Sequence, residues 1–187
     1  MELIEIGIIL GIFNAIFIPS AILVCWKMNE NFRISENTIS DCGIKPKTHH
    51  IFVSCASVAA IIQIIFYISF AAKLSLITSP IYYIPPVVVG VLMLLMGFLT
   101  QARNKVLHKT LVIAMLTAIV GWSVVVNSLL INITNILGIG LLILSAVQLI
   151  GSLYLYKKFG ENAIFEVFFM AISIIENVVW ASVALII

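Results

Sequence analysis

Charge is what this chain has least of. Ten Lys and Arg and eight Asp and Glu among 187 residues make 10% charged against 63% hydrophobic, with a net charge of +2 and a mean hydropathy of +1.22. So little polar surface does not coat a water-soluble globule, and no basic stripe offers a nucleic acid its phosphate contacts. Cysteine is scarce too: Cys25, Cys42 and Cys55 are odd in number, which argues against a disulfide framework. Strand-period alternation is missing, which excludes a membrane barrel. No nucleophile elbow, HExxH or zinc-finger spacing occurs, so neither a metal nor a cofactor is named by the sequence. Basic residues are also missing ahead of the first apolar run, where Glu2 and Glu5 stand instead; this is wrong for a cleavable signal peptide, and the run is expected to remain as a helix.

Long apolar runs are what the chain has in place of charge. Six are long enough to cross a hydrocarbon core that takes about 20 helical residues: Leu3–Trp26, Ile51–Ala72, Tyr82–Thr100, Thr110–Ile131, Asn135–Tyr156 and Asn162–Ile187. The expected fold is all-α, a polytopic membrane protein of six transmembrane helices in three hairpins, with residues 1–187 forming one integral membrane domain. Lys27, Arg33, Lys45, Lys47, Arg103, Lys105, Lys109, Lys157 and Lys158 fall in the first, third and fifth connections, against Lys73 alone in the second. Short cytoplasmic connections retain Lys and Arg, so loops 27–50, 101–109 and 157–161 are expected in the cytoplasm, with both termini outside the cell membrane. The third helix is the irregular one: Leu74–Pro86 reads as an outer loop with two turns, capping a helix that starts near Pro85.

Where polar groups do enter the runs, they fall near mid-depth: Asn14, Gln63, Ser123, Gln148 and Glu176, each on a different helix. A carboxyl group at that depth costs about 2.5–3.5 kcal/mol, so it normally faces a partner, a cavity or a ligand. No basic residue lies at matching depth, and Glu176 is expected to be carried as a neutral acid. At about 100° per residue, Glu166, Ser173, Glu176, Asn177 and Trp180 lie within an arc of about 100° on the last helix, while Phe165, Phe168, Ile172, Ile175 and Val179 occupy much of the remainder. The layer has two readings. One is interhelical glue, the polar groups bonding across the bundle. The other is a pocket for a small or lipidic ligand formed by Glu176, Asn177, Gln63, Gln148, Asn14 and Ser123.

The only long polar segment, Lys27 to His50, contains Ser35-Glu36-Asn37-Thr38-Ile39-Ser40-Asp41-Cys42-Gly43. Short side chains that bond their own backbone, followed by glycine, favour ordered turns that fold back on the cytoplasmic face. His49, His50 and His108 map to the same face, and with Ser40 and Asp41 they define a second candidate, a lipid-modifying enzyme working at the interface. The segment from Phe32 to Gly43 resembles the Ser-x-x-Ala/Thr-Ile-Ser-Asp-Leu-Gly signature of a prokaryotic six-helix membrane family known only as domain of unknown function 998. Ser35, Ser40, Asp41 and Gly43 match it, Cys42 stands where Leu is usual, and His108 follows a short basic loop before helix four as in that family. The resemblance implies a prokaryotic cell membrane and six helices, and supplies no activity. A third reading, a structural role in a homo-oligomer or a larger membrane complex, draws on the small-residue positions Gly138, Gly140 and Gly151.

Overall fold

The computed structural model describes residues 2–75, 80–98 and 104–187. Six α-helices account for most of them: α1 Leu3–Met28, α2 Pro46–Lys73, α3 Pro80–Phe98, α4 Lys105–Ile131, α5 Asn135–Phe159 and α6 Ala163–Ile186. Among the described residues there is no strand. Five of the helices, all but α3, are long and apolar enough to cross a membrane, which makes this a multi-pass membrane bundle. α3 has 19 residues, about 28 Å at 1.5 Å per residue, and the end expected for it at Thr100 lies outside the described residues.

Helix starts follow local chemistry. The Asn104 side chain accepts from Leu107 N at 3.0 Å, and that of Asn162 accepts from Ile164 N and Phe165 N at 3.1 and 3.3 Å. Proline opens α2 at Pro46, where its missing N–H would have had no partner in any case. These signals start α2 and α4 earlier than the apolar runs do, at Pro46 and Lys105 in place of Ile51 and Thr110. His49, His50 and His108 therefore sit in opening helical turns, not in loops. α3 also corrects its expectation: it is helical from Pro80, with Pro85 and Pro86 inside it and not at its cap. Both fit the helical φ, and the bonds they cannot donate are confined to the helix's first two turns. The remainder of the expected outer loop, residues 76–79, lies outside the described residues.

Each helix packs on its neighbours in sequence, and α6 returns to α1, closing a ring. Close approach depends on glycine at α1, where a Cβ on Gly11 would fall 2.3 Å from the Phe66 ring of α2. Inside the ring, Phe66, Tyr67 and Phe70 of α2 meet Trp122 of α4 and Trp180 of α6, with the Tyr67 and Trp122 centroids 5.9 Å apart. Outside, Ile16, Ile136, Ile143 and Ile150 are more than half exposed. Large aliphatics over the exterior and amides in the interior are the distribution that lipid, not water, selects.

One end of the bundle gathers the C-terminal ends of α1 and α5 and the N-terminal ends of α2, α4 and α6, with most of the lysines; it is called the basic end below. Residues 29–45 fold back over it through a 3₁₀ turn, Ile39–Gly43. The turn is closed by the Asp41 carboxylate, which accepts from Thr38 N at 2.7 Å. It docks on α6: Ala163 N donates to Asn37 O at 2.7 Å, Asn162 Nδ2 to Ser35 O at 3.2 Å, and Ile39 N to Glu166 Oε2 at 2.5 Å.

Candidate functional site

Glu176 lies on α6 with no exposure, and its carboxyl is surrounded by donors. Ser123 Oγ of α4 donates to Oε2 at 2.7 Å, while Asn127 Nδ2 of α4 and Ser145 Oγ of α5 donate to Oε1 at 3.0 and 2.7 Å. Trp180 Nε1, one turn along α6, donates to Asn127 Oδ1 at 2.7 Å. The two ion pairs among the described residues, Arg33–Glu36 and Lys109–Glu161, lie elsewhere. Three helices are thus fastened by one closed hydrogen-bond network in which each partner is buried.

The other expected layer residues form separate contacts. Asn14 Nδ2 donates to Gln63 Oε1 at 2.8 Å, tying α1 to α2. Gln148 Nε2 donates to Ser173 Oγ at 2.7 Å and to Phe169 O at 3.0 Å, tying α5 to α6. The Tyr67 hydroxyl lies beside the side chains of Gln63 and Asn177, so Asn177 faces the α1–α2 side of the bundle and its neighbour Glu176 the α4–α5 side. Asn127 and Ser145 were not foreseen. The signal was present: Asn127 follows Ser123 by one helical turn, and Ser145 precedes Gln148 by three residues on α5.

Directly toward the basic end from this network, α4 and α5 part. A groove of about 520 Å³ opens between Val112, Leu116 and Val120 of α4 and Leu149 and Leu153 of α5, floored by Phe165 and Phe169 of α6. That volume is in the range of small-molecule sites, about 300–1,000 Å³. Its lining reaches Gly121 on α4, Leu149 on α5 and Phe169 on α6, and the Glu176 network lies further along the same three helices. At its mouth Lys109 Nζ pairs with Glu161 Oε2 at 3.4 Å and lies 5.4 Å from the centre of the Tyr156 ring. Ser152 Oγ on its wall is buried without a hydrogen-bond partner among the described residues.

At the basic end the motif residues are engaged in folding the loop. Asp41 holds the 3₁₀ turn, Ser40 Oγ lies 2.9 Å from Thr38 Oγ1, and the Ser35 carbonyl accepts from Asn162. A Cβ on Gly43 would fall 2.6 Å from the Phe52 ring. His49 Nδ1 is 2.7 Å from Gly43 O, and His50 packs edge-on against His49. His108 is buried and lines, with Ser40, a second cavity of about 150 Å³ in the middle of the ring. Burial, together with Cys25, Asp41 and Glu166 nearby, pushes the Cys42 thiol of this turn up to about 12. Of the small-residue positions, Gly138 faces the backbone of Ile131 and Gly151 the Phe168 ring, both within the chain, while Gly140 is open.

With this geometry in view, comparison with known proteins finds no match: no family model, no curated protein and no solved structure.

Proposed function

We propose that the chain is a non-enzymatic integral membrane protein that binds or moves a lipidic ligand, held by the groove between α4, α5 and α6. The carrying observation is the groove itself, an apolar trough with a charged and aromatic mouth and an unpartnered hydroxyl, Ser152, on its wall. An acyl chain suits the walls and a headgroup suits Lys109, Glu161 and Tyr156. The polar layer acts as fastening: Glu176 with Ser123 ties α6 to α4 and Gln148 ties α5 to α6, while Asn177, Gln63 and Asn14 hold α1 and α2 to α6. The alternative of a lipid-modifying enzyme draws less support, since Asp41 and His49 are spent on backbone groups. A structural subunit draws less as well, since Gly138 and Gly151 are filled from within.

In the same proposal the six helices cross the cell membrane as three antiparallel hairpins, with the basic end in the cytoplasm and both termini outside. Kinship with the prokaryotic six-helix family rests on Ser35, Ser40, Asp41 and Gly43, whose work in the turn is one any member with that motif would share. The test is native mass spectrometry of the chain released from a phospholipid nanodisc. Wild type retains one lipid, and Leu116→Trp, whose indole obstructs the middle of the groove, retains none at an unchanged unfolding midpoint. A wild type that emerges bare, or a variant that keeps its lipid, overturns the reading.

A further inference from the structure

The smaller cavity has an unusual lining. The chain has three cysteines and six methionines. All three cysteines and four of the methionines meet around this one space: Cys25 from α1, Cys42 from the 3₁₀ turn, Cys55 from α2, Met93 and Met96 from α3, Met115 from α4 and Met170 from α6. The other two, Met1 and Met28, lie at the start of the chain and at the end of α1. Sequence positions far apart on five helices and a loop thus bring thiol- and thioether-bearing residues to the lining of one cavity. The thiols are free, and Cys25 lies within electrostatic range of both Cys55 and Cys42.

We propose that this cavity is a binding site for a soft monovalent cation of the copper(I) class, held by cysteine thiolate and methionine thioether sulfur. Three arguments select that class. Thiolate and thioether are the ligands that favour copper(I), whereas zinc and harder ions call for imidazole, carboxylate or several thiolates together. Among the described residues, no three His, Cys, Asp or Glu side chains stand close enough to hold a metal, so thioethers are needed to complete a site. Charge gives the third: one thiolate and one monovalent cation sum to zero, whereas a divalent ion reaches zero only when a second thiol is also deprotonated in an apolar interior. Binding replaces the thiol proton with the metal and releases it, leaving oxidation states unchanged. At about 150 Å³ the cavity is benzene-sized, too small for a lipid or a haem, and binding requires the flexible methionine side chains to close on the ion.

The test uses the full chain in detergent without oxygen, offered copper(I) in a buffer of a chromophoric copper(I) chelator, and separately silver(I) and zinc(II). Expected are one copper or one silver retained per chain after desalting, no zinc, and an X-ray absorption fine structure of sulfur neighbours alone. Cys25→Ser with Cys55→Ser should weaken copper(I) at least about tenfold against the chelator, equivalent to about 1.4 kcal/mol. Met93→Leu with Met96→Leu keeps core volume, so a loss of affinity there at an unchanged unfolding midpoint supports the site even where the cysteine variant folds poorly. No retained copper, nitrogen or oxygen neighbours such as His108 and Ser40 of the same lining would supply, or full affinity in both double variants would each overturn the proposal.

Discussion

Glu176 accepts from Ser123, Asn127 and Ser145, and Asn127 in turn accepts from Trp180, so a change at Asn127 is felt on two sides of the network. Asn127→Leu removes a donor from the carboxyl and strands the indole N–H. Interhelical bonds in a membrane are worth about 0.6–2 kcal/mol each, which puts the expected loss near 2 kcal/mol. Trp180→Phe breaks the indole contact and also removes buried ring volume beside Tyr67 and Phe70, so the shared contact is read from the double variant. Unfolding of both single variants and the double in mixed micelles checks the coupling, and strictly additive losses would show that Asn127 and Trp180 do not act through one contact. Cys42 offers a pH test at the same scale. Its thiol is raised from 9.0 to about 12, so the folded protein favours the neutral form. The stability this contributes is complete below about pH 9 and is lost as pH rises toward 12. Unfolding midpoints followed from pH 8 to 11 should fall more steeply for wild type than for Cys42→Ala, and parallel curves would contradict the assignment. Glu176 itself was legible from sequence, because a carboxyl at mid-run is costly wherever it points. Its partners were less so: serine and asparagine are ordinary in such runs, and only the fold decides that Asn127 and Ser145 face the same carboxyl.

At the scale of elements, the fold-back of residues 29–45 depends on the first turn of α6. Asn162 caps that helix through its oxygen and holds the Ser35 carbonyl through its nitrogen, and Glu166 one turn later holds Ile39. Asn162→Ala should therefore cost about 1–2 kcal/mol as a lost cap and release the loop at the same time. Hydrogen exchange at Asn37, Thr38 and Ile39 should accelerate while the interior of α2 stays protected. An unchanged loop would mean that the turn stands by its own bonds, Asp41 to Thr38 chief among them. The turn was readable from Ser35 to Gly43, since those side chains satisfy their own backbone. Its berth on α6 was not, because a contact spanning 127 residues leaves no local trace. Helix starts show the same division. Asn162 opens an apolar run and so reads as a start, whereas polar lysines and histidines follow Asn104 and Pro46 and hide those starts from hydropathy.

For the whole molecule, six runs and a lopsided charge pattern were enough to anticipate an all-helical membrane bundle, while the ring order and the parting of α4 from α5 were not. Apolar faces all read alike in sequence; what separates an interior face from a lipid-facing one is the placement of a few amides and glycines, Asn14, Gln148 and Gly11 among them. The charge pattern carries its own prediction. Lys45, Lys105, Lys109, Lys157 and Lys158 all gather at the end where the 3₁₀ turn folds back, and Lys73 ends α2 at the other. Positive residues in short connections are retained on the cytoplasmic side, so that end should face the cytoplasm. A single cysteine placed at Glu161, in a chain whose three native cysteines are replaced by alanine, should resist a membrane-impermeant maleimide added to intact cells and react after lysis. One placed at Asn132, in the turn between α4 and α5, should react in intact cells. The reverse pattern would invert the bundle. Both sites reacting in intact cells would remove α5 as a span, and with it the groove, because its walls must lie side by side across the same bilayer to hold a lipid between them.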